Sequence, residues 1–399
     1  MMMDDHQPDI LANAKLADGT LVDIVIEGGR IAAIGPDVDA GGRKRVDLAG
    51  ALVTPSLVDG HIHLDKTLLG LPFISHRKGT GVADRIAHEK QIRRHLDLSV
   101  SERGAELIRQ IIPTGTGAVR SHVDIDLDVG LSQLEQVLSL RQSFSHLVDI
   151  QIVAFPQSGI LRSPGVADLL AEALGMGADL IGGLDPALID DDIAGHLDAV
   201  FGLAERFGTG IDIHLHEPGQ LGLFTLRSIA QRTSAAGLAG RVTVSHAFSL
   251  GEPIDIGSTL EALSSAGVAI ATNAPGAATM PPVKRLHDAG VLVFAGSDNI
   301  RDAWSPYGNG DMLERAALVG YRQGLLADED VALAFAMATD HAAMALGLPD
   351  YGLRVGSKAD LMVLAASSIP EAVAARAGRL RVYKSGREVA RDGHLIGPQ

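Results

Sequence analysis

What most limits how this chain can fold is a rhythm. Between residues 56 and 298, eight short apolar runs alternate with longer stretches of helical spacing: SLVDGHIH, GAVRSHVD, VDIQIVAFP, ADLIGGLD, GIDIHLH, RVTVSHA, GVAIATNA and VLVFAGSD. Several runs are almost continuously apolar, as strands buried on both faces must be. Between them, Val166, Leu169, Leu170, Ala173 and Leu174 fall on one helical face, and Ile193, Leu197, Val200, Phe201, Ala204 and Phe207 on another. Eight strands in strict alternation with helices predict an α/β fold, a closed (β/α)8 TIM barrel over residues 56–346, rather than an open doubly wound sheet.

The two ends read differently. TLVDIVIEGGRIAAIG alternates apolar and polar residues around a Gly-Gly turn, a hairpin signal, and ADLMVLAAS and RVYKSGREVARDG repeat the style near the C-terminus. Segments 1–55 and 347–399 are therefore expected to pair into one small, discontinuous β-sandwich domain.

In a barrel of this kind, chemistry gathers at the C-terminal ends of the strands. Those ends carry His61 and His63, His122 and Asp124, Gln157, His214 with His216 and Glu217, Ser245 and His246, and Ser297 and Asp298. Six of the 15 histidines stand in this set, which a random scatter would not produce. Residues i and i+2 of a strand share a face, so His61 and His63 can point into one space. His214 and Asp298 add a nitrogen and a carboxylate. Three nitrogens and one oxygen suit one divalent cation, Zn2+ or Fe2+, with an open position for water. A lone His-x-His arises by chance; the weight lies in the convergence of the whole set.

Composition removes other chemistries. The chain has no cysteine, so disulfides, thiolate metal sites and Cys nucleophiles are excluded, and with them the cysteine-ligated nucleoside deaminases. A net charge of -15 argues against a nucleic-acid partner. The opening MMMDDHQPDI lacks the pattern of a signal peptide, and no apolar run is long enough to span a bilayer. A soluble cytoplasmic protein, open to homo-oligomer formation, is the expectation.

These residues resemble the amidohydrolase superfamily. TPSLVDGHIH is similar to its strand-one signature, and His214, His246 and Asp298 follow in its order. Within the superfamily the chain looks most like the cytosine deaminase subgroup, through HIHLDKT, SHVDID, VDIQIVAFPQSGIL, DIHLHE, RVTVSHA and GSDNIRDAWSPYGNGDML. The resemblance implies metal ligands His61, His63, His214 and Asp298, with catalytic roles for Glu217, His246 and Asp298. It also implies substrate contacts from Gln157, Trp304 and Lys66. Glu217 would shuttle protons, so Glu217→Gln would keep metal and lose turnover. Binuclear relatives carry a carboxylated lysine at the end of strand four; here no lysine occurs between Lys90 and Lys284, which implies a mononuclear site. Lys66, His216, the PGQLG stretch and Asn299 depart from the cytosine pattern around the pocket mouth, leaving the chemistry in place and the ring open.

The leading expectation is a mononuclear aminohydrolase. It would deaminate a small cyclic amidine such as cytosine, or a related pyrimidine or triazine, and release ammonia or an amine. Ring-opening cyclic amidases of the dihydroorotase and hydantoinase type are the alternative, disfavoured by the missing lysine. A catalytically inactive scaffold would be expected to have lost ligands that this chain keeps. His122 and Asp124 are expected to support the ligands rather than join them, and His196 to be structural.

Overall fold

The computed structural model describes residues 8–38 and 41–396. The eight apolar runs form eight strands: β1 (Leu57–Ile62), β2 (Thr116–Asp124), β3 (Asp149–Phe155), β4 (Leu180–Leu184), β5 (Gly210–Leu215), β6 (Val242–His246), β7 (Val268–Thr272) and β8 (Val293–Ala295). Each pairs in parallel with the next. A parallel bridge between Ile62 and Asp298 joins the last strand's end to the first. At that seam the Asp298 N–H donates to the His61 carbonyl at 2.7 Å.

Contacts between strands that are not neighbours define the inner face. Arg120 on β2 reaches Asp212 on β5 (2.9 Å) and Thr243 on β6 (3.0 Å). The two-residue strand period then turns Asp59 and His61, Arg120, His122 and Asp124, and Asp212 and His214 inward. Ile62, Val119, Val123, Ile211, Ile213 and Leu215 alternate with them and join one hydrophobic cluster with helix residues such as Leu107, Leu134 and Leu226. This inside-polar pattern reverses that of an ordinary half-buried strand. The helix Val166–Met176 buries Val166, Leu170, Ala173 and Leu174. In the helix Ile193–Phe207, the predicted face holds except at its last residue: Phe207 is 36% exposed, where the chain leaves the helix at Gly208.

The terminal segments form one nine-stranded sheet. Its strands lie within Ile10–Pro55 and Leu361–Leu395. The N- and C-terminal halves join where Leu52–Pro55 pairs antiparallel with Leu361–Leu364. All its pairings are antiparallel except those of Ile10–Lys15 with Arg45–Asp47 and with Leu52–Pro55. The sheet has its own small core around Leu11, Ile24, Ile31, Leu361 and Tyr383. Lys384, nearly buried, ties it to the barrel through Asp149 (2.8 Å) and the Gly117 carbonyl (3.1 Å), and also bonds Asp360, next to the sheet's own strand Leu361–Leu364 (2.7 Å). Among the described residues, no helix is long and apolar enough to cross a membrane.

Two glycines let the barrel seam close. A Cβ on Gly296 would sit 2.6 Å from the His61 nitrogen and 2.7 Å from its carbonyl oxygen. One on Gly60 would sit 2.3 Å from the Phe294 ring. Gly296→Ala is expected to lose on the order of 1–3 kcal/mol in urea unfolding, because backbone atoms must shift. Gly320→Ala, in the helix Met312–Gln323 with nothing within 4 Å of its added carbon, should be neutral or gain roughly 0.5–1 kcal/mol. Equal stabilities for the two variants would contradict the close approach.

Candidate metal centre and active-site cavity

Closing the barrel gathers the histidines. His61 and His214 rings lie 4.6 Å apart, His61 and His63 5.3 Å, and His214 and His246 5.0 Å. Ligating atoms of His61, His63 and His214 all fall within 4.8 Å of one another, and so do those of His61, His246 and Asp298. Asp298 Oδ1 stands 3.4 Å from His61 Nε2 and 3.3 Å from His63 Nε2. Two donors of a tetrahedral site with bonds of about 2.0–2.1 Å lie about 3.3–3.4 Å apart, so these spacings fit a shared cation.

The hydrogen bonds fix which nitrogen of His61 faces the centre. Arg120 donates to Asp212 Oδ2 at 2.9 Å, and Ser245 Oγ donates to Asp212 Oδ1 at 2.8 Å. A serine hydroxyl has one proton, so at 2.8 Å from His61 Nδ1 it must accept. His61 therefore carries its proton on Nδ1 and turns the lone pair of Nε2 to the centre. Among the described residues, that Nε2 and both nitrogens of His214 are buried without a hydrogen-bond partner. Leaving them so would cost about 1–3 kcal/mol each, and a divalent cation would remove the deficit at His61 Nε2 and at one nitrogen of His214. Burial, followed by crowding from other imidazoles, holds His214 and His246 well below the ordinary histidine range, so both are neutral.

A second cluster, His61, His122 and Asp212, also brings donors together. There the Asp212 carboxylate is already engaged by Arg120 and Ser245, and the guanidinium disfavours a second cation. His122 stacks under His61 at 4.0 Å, and burial with the nearby His61 holds its pKa down to about 3. His196, in its helix, bonds Asp190 at 2.7 Å, far from this chemistry.

Above the centre lies a cavity of about 730 Å³. His63, His214, His246 and Asp298 form part of its wall, and so do Lys66, Gln157 and Trp304. Gln157 does not present a free amide. Its nitrogen donates to Asp124 (2.9 Å) and Glu89 (3.1 Å), and its oxygen accepts from Lys66. Lys66 also meets Asp124 at 3.0 Å and Glu89 at 3.4 Å. Burial opposes its charge, but Asp124, Glu89 and Asp65 outweigh burial and raise its pKa above the usual lysine value. The cavity wall here is an ammonium paired with buried carboxylates, with Trp304 anchored to Glu89 through its indole N–H.

The structure turns the Glu217 carboxylate away from the cavity. Glu217 is fully buried, and its carboxylate accepts from the N–H groups of Ala187 (2.6 Å) and Leu188 (3.4 Å) and from Thr225 Oγ1 (2.5 Å). It does not line the cavity; its neighbour His216 does. His216 Nδ1 lies 2.8 Å from Asp185 Oδ2, and its ring stacks on His246 at 4.6 Å. Burial works against a charged His216, and Asp185 more than offsets this, raising its pKa. Parity explains the exchange: with Asp212 and His214 inward, residue 216 is inward and 217 is not. The alternation in GIDIHLHE carried that signal. Asp185 has no such marker beyond its place after LIGGL. Asp185, His246 and Asp298 all adopt left-handed backbone, with φ of 37°, 73° and 61°. For residues with side chains this costs on the order of 1 kcal/mol each and persists only where the surroundings enforce it.

Ser245→Ala should leave the fold intact but free the His61 ring to turn. Metal affinity, measured by competition with a chromophoric chelator, should fall about 10–100-fold. Unchanged affinity would sink the Ser245–His61 orientation.

The family model described as "Amidohydrolase family" matches residues 97–390. The chain is 34% identical over 403 residues to the N-isopropylammelide isopropyl amidohydrolase of Pseudomonas sp. (strain ADP), covering 97% of this chain and 98% of that one. The crystal structure of N-isopropylammelide isopropylaminohydrolase from Burkholderia multivorans ATCC 17616 superposes with a TM-score of 0.93 at 43% identity, over 97% of this chain and 99% of that one. That of 5-methylcytosine deaminase from Klebsiella pneumoniae, liganded with 5-fluorocytosine, gives 0.86 at 28% identity, over 98% and 99%. With the barrel, the histidine cluster and these matches together, the chain belongs to the amidohydrolase family and is a hydrolase of carbon–nitrogen bonds.

Proposed function

We propose that this enzyme hydrolyses an exocyclic N-alkylamino group from a triazine of the N-isopropylammelide type, releasing the alkylamine and leaving a ring carbonyl. The supporting observation is the cavity itself. One end holds the histidine cluster and the His216–Asp185 pair, and the ion-paired Lys66 and Trp304 line another part of the wall. Phe248, Ala274, Pro275 and Leu318 supply an apolar stretch suited to an alkyl substituent. The names of the two N-isopropylammelide relatives point the same way.

His61, His63, His214 and Asp298 would hold one divalent cation, Zn2+ or Fe2+. When bound, that ion supplies Lewis acidity that brings a water's pKa toward neutrality. With Nδ1 committed to Asp185, His216 offers Nε2 as base to the attacking water. The water oxygen forms a bond to the ring carbon that carries the amine as the ring C=N π pair moves onto the ring nitrogen, which takes the water's second proton. The proton held by His216 then passes to the exocyclic nitrogen, the C–N bond breaks with its electron pair leaving on nitrogen, and the free amine departs. His246, kept neutral, donates an N–H to the oxygen as charge develops there. Lys66 lines the cavity with its ammonium held by Gln157, Asp124 and Glu89, so it would bound the ring's position by shape and charge.

Metal-loaded protein should be incubated with N-isopropylammelide, ammelide, cytosine, 5-methylcytosine and dihydroorotate, and released amine or ammonia measured. N-isopropylammelide is expected to give the highest kcat/KM. Turnover of dihydroorotate alone, with two metals per chain, would replace the reading by ring opening; no turnover of any compound would overturn it. His216→Ala should lose about 100-fold or more in kcat with metal content unchanged. Full activity in that variant would remove His216 from the chemistry.

A further inference from the structure

Glu217 is a buried acid for which the reaction above has no proton to move. We infer that Glu217 is a positioning residue, whose carboxylate clamps the turn after β4 and so fixes Asp185 against His216. The inference rests on the proposed role of His216.

The turns after β4 and β5 clasp each other in both directions. From the β4 side, Asp185 accepts the backbone N–H of His216 at 2.5 Å and its Nδ1–H at 2.8 Å. From the β5 side, Glu217 Oε1 accepts the N–H groups of Ala187 and Leu188 at 2.6 and 3.4 Å. Asp185 sits in left-handed backbone at φ 37°, a conformation that needs outside support. Two residues further on, the turn is bonded to Glu217. The glutamate is itself held by Thr225 from the helix Gly219–Ala235, and a Cβ on Gly222 would meet the Glu217 carbonyl at 2.2 Å. That close approach packs the helix start directly onto the residue. Consecutive side chains thus divide the work. His216 faces the cavity, and Glu217 faces the turn that aims His216.

A clamp needs acceptors, whereas a shuttle needs an ionisable group. Glutamine can serve the first and not the second. Its oxygen accepts from Ala187 and Leu188. Its amide nitrogen donates to Thr225 Oγ1, whose own proton then goes to the Leu221 carbonyl, already 3.2 Å away. Glu217→Gln is therefore expected to keep kcat within about threefold, the opposite of what the family resemblance implies. A shuttle would lose about 100-fold or more. Glu217→Ala leaves the turn unheld and should lower kcat about 10–100-fold. KM and metal content should change little, since Glu217 does not line the cavity.

The test uses the full-length metal-loaded enzyme with N-isopropylammelide, or the most active compound of the panel, and two readouts. The first is a cycle of Glu217→Ala, Asp185→Asn and the double variant. The clamp predicts that Glu217→Ala costs less than about threefold further once Asp185 is gone. Independent, multiplying losses would overturn it. The second is hydrogen exchange at the Ala187 and Leu188 amides, which needs no turnover. Protection should survive in Glu217→Gln and drop in Glu217→Ala. Loss of activity in Glu217→Gln with protection retained would restore the shuttle and overturn the inference. Full activity in His216→Ala with the exchange pattern as predicted would overturn the role of His216 and leave the clasp standing.

Discussion

The site depends on one seam. The Asp298 N–H meets the His61 carbonyl at 2.7 Å, and through that bond the first and last strands of the barrel become neighbours. β8 itself spans only Val293–Ala295, so the ladder there is short, and the closure falls on residues whose side chains face the centre. Gly60 and Gly296 permit the approach because any side chain at either would strike the opposite strand. Fold and chemistry are therefore coupled at this point: a barrel that did not close here would not bring His61 and Asp298 together.

Beneath the centre, charge is buried for the sake of orientation. Arg120, with 2% exposure, bonds Asp212, Thr243, Gln151 and the Ala345 carbonyl. Burying an ion pair gives little net stability, and breaking one costs about 3–5 kcal/mol. What the pair supplies is direction. Asp212 held by Arg120 commits the Ser245 proton, and Ser245 then commits the His61 proton away from the centre. The Asp185–His216 pair repeats the device on the next layer, with a carboxylate choosing which imidazole nitrogen faces the cavity.

Much of this was legible in the sequence, because a strand's two-residue period is a strong signal. SLVDGHIH, GAVRSHVD and GIDIHLH each show their charged residues and histidines on one parity, and that parity is the barrel interior. The same rule, carried one residue past β5, separates His216 from Glu217; the family resemblance favoured Glu217 and the local geometry favours His216. Asp185 was not legible, since its left-handed backbone and its partner on another strand leave no local pattern. Gln157 was read as a substrate contact from its position, but the buried charges of Lys66, Asp124 and Glu89 engage its amide. The terminal segments were rightly read as strands joined across the chain ends. Their arrangement as one continuous sheet depends on the pairing of Leu52–Pro55 with Leu361–Leu364, which hairpin signals do not encode.

Anomalous scattering from crystals of the metal-loaded protein, collected at the absorption edge of the bound metal, tests the convergence most directly. It should show one peak per chain, within about 2.3 Å of His61 Nε2 and in reach of His63, His214 and Asp298. A peak centred between His122 and Asp212, two peaks of equal height, or none in fully loaded protein would contradict it.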